Sequence, residues 1–139
     1  MRITTRGRYA LRATLALTVL GKEGSPVSVG DLSEYEDISP IFLEQIFHRL
    51  RKAGIVGAVR GPGGGFFFTQ PLEALTVRDI LLAAGEDLGD APCDKHADSC
   101  DRVDCCPSHS VWVNLNGLMN NYLAGLTLDS VMKNGPAPR

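Results

Sequence analysis

Apolar residues recur at helical spacing through the segment that precedes Gly21. They form one stripe of Tyr9, Ala13, Leu17 and Leu20, with Ala10, Leu11 and Leu15 beside it. Residues three or four positions apart share one face of an α-helix, so we expect this face to pack on a core. Thr4 and Thr5 are suitable N-caps and Gly21 is a suitable stop, which places the predicted helix between them.

Two further apolar patterns predict a pair of helices joined by a tight turn. Ser28 is a suitable cap for a short helix that runs to about Glu36. Ser39 and Pro40 then suit the N-cap and first helical position of a second helix, which Gly54 closes. The apolar positions of that second helix are Ile41, Leu43, Ile46, Phe47 and Leu50. The second helix ends in the basic stretch HRLRK. Two helices joined by a tight turn, with a basic end to the second, are typical of a helix-turn-helix.

Two short β-prone segments follow, over residues 55–59 and 66–69, with the glycine-rich stretch GPGGG between them. Valine, isoleucine and phenylalanine favour strands and glycine favours turns, so this region predicts a β-hairpin. A helix-turn-helix followed by a hairpin is a winged helix, in which the hairpin tip approaches a DNA backbone or minor groove. GPGGG is not a nucleotide-binding loop, because it lacks the Gly-Lys-Ser/Thr ending and does not open a helix.

Beyond the hairpin we predict a short helix, a cysteine-containing loop and a long helix. Thr76 and Asp79 match a capping box, and Gly85 is a suitable stop for the short helix. The long helix begins near Ser108, and its apolar face is broad for a small domain. That face consists of Val111, Leu115, Leu118, Tyr122 and Leu126, widened by Trp112, Met119 and Leu123. We therefore expect a second subunit to cover it.

These elements predict a mainly α fold with a small β-hairpin, namely a winged helix-turn-helix plus a long C-terminal dimerisation helix. We assign residues 1–85 to the DNA-binding domain and residues 86–108 to the cysteine-containing, cluster-binding loop. Residues 109–139 are the dimerisation helix and the C-terminal tail, whose last stretch KNGPAPR we expect to fray.

Composition agrees with one ordinary domain, since 44% of the 139 residues are hydrophobic and 22% are charged. The apolar runs are shorter than the roughly 20 residues of a membrane span, and no positively charged segment precedes a cleavable apolar one, so we expect a cytoplasmic protein. The charge is uneven. Residues 1–70 carry nine Lys/Arg and six Asp/Glu, a net +3, whereas residues 71–139 carry five and ten, a net −5. The first half is the better candidate for a polyanion partner.

Candidate DNA contacts fall into three groups, with a solvated basic face and a purely structural helix pair as the alternative. The first turns of a recognition helix meet base edges, and here they carry Ser39, Ile41, Phe42, Glu44 and Gln45. Phosphate contacts would come from Arg2, Arg6, Arg8, Arg49, Arg51 and Lys52. The hairpin tip offers Arg60, placed to enter a minor groove, and Gly61, Gly63 and Gly64, which let the backbone approach DNA.

The four cysteines all lie between Cys93 and Cys106, in an acidic segment. Cysteines this close together in the sequence are poorly placed to stabilise a fold through disulfides, so their spacing favours a metal site. The spacings are Cys93-x6-Cys100, x4 to Cys105 or x5 to Cys106, and Cys106-x2-His109.

Zinc ribbons use paired C-x2-C knuckles, which the cysteine segment lacks. Longer gaps suit a larger object, such as an iron–sulfur cluster held by thiolates with a histidine as fourth ligand. A four-cysteine cluster and unligated thiols are the alternatives that spacing leaves open. His96 is a substitute ligand candidate, whereas His48 belongs to a helix surface or to the DNA-facing side.

The sequence resembles the IscR-like, Rrf-type family of homodimeric winged-helix transcription regulators that bind an iron–sulfur cluster. The resemblance rests on MRITTRGRYALRA, LEQIFHRLRKAGIVGAVRGPGGGF and the cysteine segment closing on CPSHSVW, and it runs nearly end to end. It implies a two-iron two-sulfur cluster whose ligands are Cys93, Cys100, Cys106 and His109. It also implies that Glu44 discriminates between DNA motifs according to the cluster state and that Arg60 is the wing arginine.

Two departures from the family pattern bear on the cluster. The first cysteine gap is one residue longer than usual, and Cys105 is extra. Relatives that sense nitric oxide carry a four-iron cluster with an aspartate ligand near the amino terminus, where this chain reads Gly7-Arg8-Tyr9. We therefore expect the two-iron cluster rather than the four-iron one. Within CCPSH we predict Cys106 as the ligand and Cys105 as a spare thiol.

The expected function is a homodimeric regulator of promoter DNA that reports iron–sulfur, redox or related stress status, with no enzymatic activity and no small-molecule substrate. Cluster occupancy is expected to order the loop and the helix near Ser108, and so to shift the recognition helix or the exposure of Glu44. One alternative is a cluster-free regulator in which Cys105 and Cys106 are the redox pair. A small electron carrier is another, but it leaves the wing unexplained.

Overall fold

The computed structural model of the chain describes residues 2–89 and 100–138. These residues form six α-helices and one antiparallel hairpin, so the predicted mainly helical class is confirmed. The helices are α1 Thr5–Leu20, α2 Val29–Glu36, α3 Pro40–Lys52, α4 Val77–Ala83, α5 His109–Gly125 and α6 Leu128–Asn134. The strands are β1 Val56–Val59 and β2 Gly65–Phe68, and single 3-10 turns lie at Lys22–Gly24 and Val103–Cys105. Two cysteine-loop candidates, Cys93 and His96, lie outside the described residues.

The helices begin where the capping residues predict. The Thr4 and Ser28 hydroxyls accept hydrogen bonds from backbone N–H groups in the first turns of α1 and α2. Thr76 and Asp79 form a complete capping box at α4. Each such cap satisfies a donor that the helix itself leaves unpaired and is worth about 1 kcal/mol. Ser39 lies at the N-cap of α3, but its side chain makes no cap hydrogen bond.

Helix α3 packs one face into the main core. Leu43, Ile46, Phe47 and Leu50 are completely buried, as their spacing predicts. Ile41, another apolar position of this helix, does not share the buried face, because its side chain is 70% exposed. Each residue of an α-helix turns by about 100°, so a residue two positions before Leu43 points to the far side.

Two aromatic contacts fix α3 between α1 and the hairpin. Phe47 stacks on Phe66 of β2, with ring centroids 4.7 Å apart. Phe42 meets Tyr9 of α1 edge to face at 5.6 Å. Both arrangements are favourable for aromatic rings, and they hold the recognition helix against its neighbours on two sides.

The hairpin has the predicted position, with strand ends that differ by one residue at most. Val56 pairs with Phe68 and Val59 with Gly65, which leaves residues 60–64 as the loop. Val27, before α2, adds a β-bridge to Phe66 through two backbone hydrogen bonds of 2.8 and 2.9 Å. The local pattern around Val27 did not predict this bridge, which joins the wing to the start of the helix-turn-helix.

The C-terminal part folds back onto α4. Helix α5 begins at His109, next to the predicted start at Ser108, and ends at Gly125. A bridge between Thr76 and Thr127 then turns the chain into α6, where Leu128 is completely buried in the main core. The prediction did not include α6, and its last two residues belong to the stretch expected to fray. Within the described residues, no helix has the length and apolar character to cross a membrane.

Candidate nucleic-acid interface and cysteine site

Helix α3 presents a polar face to solvent. The exposed residues of that face and its N-cap are Ser39, Ile41, Glu44, Gln45, His48 and Arg49. Because the Ser39 hydroxyl makes no cap bond, it is available to another partner. Phe42 differs from the other candidates, since its half-buried ring packs on Tyr9. The face therefore offers hydroxyl, carboxylate and amide groups of the kind that read base edges.

Two guanidinium groups converge at the end of α4. The Arg6 side chain donates a 3.3 Å hydrogen bond from Nη2 to the carbonyl oxygen of Gly85. A Cβ atom at Gly85 would lie 3.1 Å from that Nη2 and 3.0 Å from Nη1 of Arg49. Arg6 comes from α1 and Arg49 from α3, so the fold brings two predicted phosphate contacts together that are far apart in sequence. Such a pair suits a phosphate group.

The remaining basic candidates are exposed. Arg2, Arg8, Arg51 and Lys52 all lie at the surface. Arg12, in the same helix as Arg6 and Arg8, has a structural role instead. Its guanidinium contacts the carboxylate of Glu36 at 2.8 Å and lies 5.3 Å from the ring centroid of Tyr9.

The hairpin tip carries glycines of two kinds. Gly61 and Gly63 have positive φ angles of 91° and 74° and face open space, as a tip that approaches a partner requires. Position 64 requires glycine for a reason within the hairpin, because a Cβ atom there would lie 2.2 Å from the carbonyl oxygen of Val59. Arg60 is exposed at the base of this tip.

A backbone hydrogen bond joins Cys106 and His109 at the start of α5. The His109 amide donates a 3.1 Å hydrogen bond to the Cys106 carbonyl oxygen. The Cys106 sulfur lies 3.2 Å from the Ser108 hydroxyl. Hydrogen bonds from the Ser108 side chain and backbone, helped by the His109 amide and the charge of Arg102, lower the pKa of the Cys106 thiol. This environment favours the thiolate, the form that binds metal.

The donor chemistry fits an iron–sulfur cluster. The His109 Nδ1 atom is buried and has no hydrogen-bond partner among the residues described. A thiolate at Cys106 and an uncommitted imidazole nitrogen three positions later are a suitable pair of soft and borderline ligands. Across residues 2–89 and 100–138, however, no three His, Cys, Asp or Glu side chains lie close enough to hold a metal ion. Cys100 is thus not gathered with Cys106 and His109 into a three-ligand group.

Sequence reasoning missed the role of Glu86. This residue is only 6% exposed, and its carboxylate lies on the N-terminus of α1. Glu86 directly follows a glycine that ends a helix, and nothing in the neighbouring sequence indicates that its partner lies 79 positions earlier.

The winged helix, the exposed face of α3 and the glycine tip together define the class of winged-helix DNA-binding transcription regulators. The chain belongs to the Rrf2 family, described as iron-dependent transcriptional regulator, whose model matches residues 3–134. The predicted IscR-like resemblance is thereby confirmed.

Individual relatives and solved structures support this family assignment. The chain is 38% identical to the HTH-type transcriptional regulator IscR of Pectobacterium atrosepticum over 134 residues, which cover 96% of this chain and 80% of the relative. The structure of T. potens IscR matches with a TM-score of 0.76 and 28% identity, over 96% of this chain and 88% of that one. The structure of CymR, the global cysteine regulator of B. subtilis, matches with a TM-score of 0.81 and 25% identity, over 98% and 99% of the two chains.

Proposed function

We propose that this DNA-binding regulator is a homodimer whose recognition of promoter DNA is controlled by an iron–sulfur cluster. The observation that carries the proposal is the backbone hydrogen bond that joins Cys106 to His109 at the start of α5, together with the buried His109 Nδ1 atom that has no partner among the residues described. The similarity to IscR proteins adds support. The proposed ligands are Cys93, Cys100, Cys106 and His109, and the proposed cluster is of the two-iron two-sulfur type.

Each side chain at the proposed cluster site has a distinct task. Ser108 directs its hydroxyl to the Cys106 sulfur instead of capping α5, and so favours the thiolate. His109 would supply a neutral nitrogen ligand, which holds iron less firmly than a thiolate does and so suits a labile site better than a permanent one. When bound, the cluster supplies redox-active iron, and its oxidation or loss is the signal that we assign to this protein.

The DNA contacts that we propose are those of the exposed face of α3, the basic residues and the wing. Glu44 and Gln45 are exposed and suited to base readout, and Arg60 is exposed at the wing. The convergence of Arg6 and Arg49 beside Gly85 supports a phosphate contact there. Base contacts on α3 select the site, while phosphate contacts supply affinity that does not depend on sequence.

A second copy of the chain is the partner that we propose for α5. No residue of this 17-residue helix is buried within one subunit. Leu118 and Tyr122 are 69% and 68% exposed, and Val111, Trp112 and Leu115 are also exposed. Covering such a face contributes about 25 cal/mol for each Å² of apolar surface removed from water. In this proposal residues 86–108 form the cluster-binding loop and residues 109–139 the dimerisation part.

A cluster-free thiol regulator is the second candidate. It is favoured by the adjacency of Cys105 and Cys106, both at least partly exposed, and by the similarity to CymR structures. One of these is described as the oxidized form of CymR from Staphylococcus aureus, at a TM-score of 0.75 and 25% identity. An electron carrier has no such support, because the family consists of transcriptional regulators.

Spectroscopy of protein purified without oxygen separates the candidates. The cluster proposal expects a coloured protein with two iron and two sulfide per subunit, and DNA affinity that changes when the cluster is removed by a chelator. A colourless protein, or one loaded with zinc, would overturn it. DNA affinity that changes only on thiol oxidation of colourless protein would establish the thiol regulator instead.

A further inference from the structure

Glu86 is the only charged side chain that is buried among the described residues. Its Oε1 atom accepts hydrogen bonds from the Gly7 amide at 3.1 Å and from the Thr4 hydroxyl. Its Oε2 atom accepts from the Thr4 amide at 3.1 Å. Thr4 is the N-cap of α1 and Gly7 lies in its first turn, so the carboxylate satisfies donors that the helix leaves unpaired.

The residues that follow Glu86 are attached to α5. Leu88 is buried beside Val77 and Leu81 of α4. Its carbonyl oxygen accepts a 2.9 Å hydrogen bond from Asn120 Nδ2 of α5. The Asn120 side chain is itself held, because its Oδ1 accepts from Arg78 at 3.1 Å. Residues 86–88, which we call the stem, therefore contact α1 at one end and α5 at the other.

The stem adjoins the two converging guanidinium groups. Gly85, directly before Glu86, has a φ of 91° and accepts the hydrogen bond from Arg6. Arg49 approaches the same glycine from α3. The stem thus contacts the first turn of α1, which carries Arg6, at the place where Arg49 also approaches.

We propose that Glu86 is a positioning residue that couples the start of α5, where Cys106 and His109 lie, to the DNA-binding surface. The coupling runs from α5 through Asn120 to the stem, and from the Glu86 carboxylate to the first turn of α1. With Glu86 docked, Arg6 and Arg49 are held in one arrangement; with Glu86 released, the Thr4 amide loses its acceptor, the first turn of α1 shifts and the pair separates. This inference rests on the proposed function, since it concerns how the cluster state reaches DNA.

Two variants remove the contact by different means. Glu86→Gln removes the negative charge and sets an amide N–H group against the donors of α1. Gly7→Ala keeps the charge but adds a Cβ atom 2.6 Å from Oε1, so the carboxylate must shift from its present position. Alanine also favours a helix more than glycine does, so Gly7→Ala keeps the proposal testable if Glu86→Gln unfolds α1. Glu73→Gln is the matched control, because it makes the same change of side chain at an exposed position outside the stem.

The measurement is the dissociation constant for a promoter fragment, with and without cluster, at one salt concentration. Couplings between two sites commonly change affinity about 5- to 150-fold, and we expect the wild type and Glu73→Gln to lie in that range. In Glu86→Gln and Gly7→Ala the two constants should agree within about twofold. Cluster absorbance should stay at the wild-type level in all four proteins.

Hydrogen exchange provides a readout that a simple structural cap would not move. In the wild type, amides in the first turn of α1 should exchange at different rates with and without cluster. In both contact variants the two rates should be equal. Variants that retain the wild-type affinity ratio would overturn the coupling role and leave the proposed function standing. A wild-type ratio of one would overturn the proposed function, and the coupling with it.

Discussion

The carboxylate of Glu86 accepts a hydrogen bond from the backbone amide of Gly7, 79 positions earlier in the chain. The contact places the residue that follows the winged helix on the N-terminus of the first helix. It also explains why position 7 is glycine, because any side chain there would collide with the carboxylate. A buried charge is tolerated at this position because it is hydrogen-bonded and faces the positive end of a helix dipole.

Cys106 and Cys105 are expected to behave differently when each is replaced by serine. Cys106→Ser should abolish the visible absorbance of the cluster, because it removes a ligand whose thiolate Ser108 stabilises. Cys105→Ser, the adjacent control, should leave the absorbance unchanged. Spectra of anaerobically purified variants, with iron and sulfide counts, provide the test. The reverse result would move the ligand by one residue and remove the basis for choosing His109.

Arg60→Ala is expected to weaken DNA binding at every site tested, since the wing contact that we propose does not read one particular base. The loss should be about tenfold, and the slope of log affinity against log salt should fall by about 1. Lys22→Ala is the charge-matched control, because it removes a cation from an exposed position in the turn that follows α1. Fluorescence anisotropy over a series of salt concentrations measures both effects. Equal affinities for Arg60→Ala and the wild type would exclude the wing from the interface.

Leu118→Glu is expected to convert the proposed dimer to monomers without unfolding them. The side chain is 69% exposed within one subunit, so the charge costs little there, whereas at an apolar interface it would be buried without a partner. Ala124→Glu adds the same charge at an exposed position on another side of α5 and should leave the dimer intact. Sedimentation velocity gives the masses. A wild-type protein that sediments as a monomer would refute the proposed role of α5.

Phe47 and Ile41 of α3 are expected to separate stability from DNA binding. Phe47→Ala should lower the free energy of unfolding by about 3–5 kcal/mol, because it empties a fully buried site and removes the stacking on Phe66. Ile41→Ala should change that free energy by less than about 0.5 kcal/mol, because the side chain is exposed. Urea titrations measure the stabilities, and binding assays should show that Ile41→Ala weakens promoter affinity. An unfolding free energy equally lowered in both variants would contradict the assigned packing of α3.

Much of the DNA-binding part was predictable from local patterns. The caps at Thr4, Ser28 and Thr76 and the glycine-rich hairpin follow from side-chain chemistry within a few residues. A cap or a tight turn is determined by the residues that form it, which is why these features can be read from the sequence. Cys106 and His109 are likewise close because only three positions separate them, and a backbone hydrogen bond joins the two residues.

The sequence by itself determined the helices α1 to α3, the hairpin and the start of α5. Only the tertiary structure decided that Glu86 caps α1, that Arg6 and Arg49 meet at Gly85, and that the chain turns at Thr127 into α6. Periodicity reports which face of an element is apolar, but it does not specify the element against which that face packs. Contacts between distant residues arise only when whole helices come together. These contacts determine how the two proposed sites of this protein are joined.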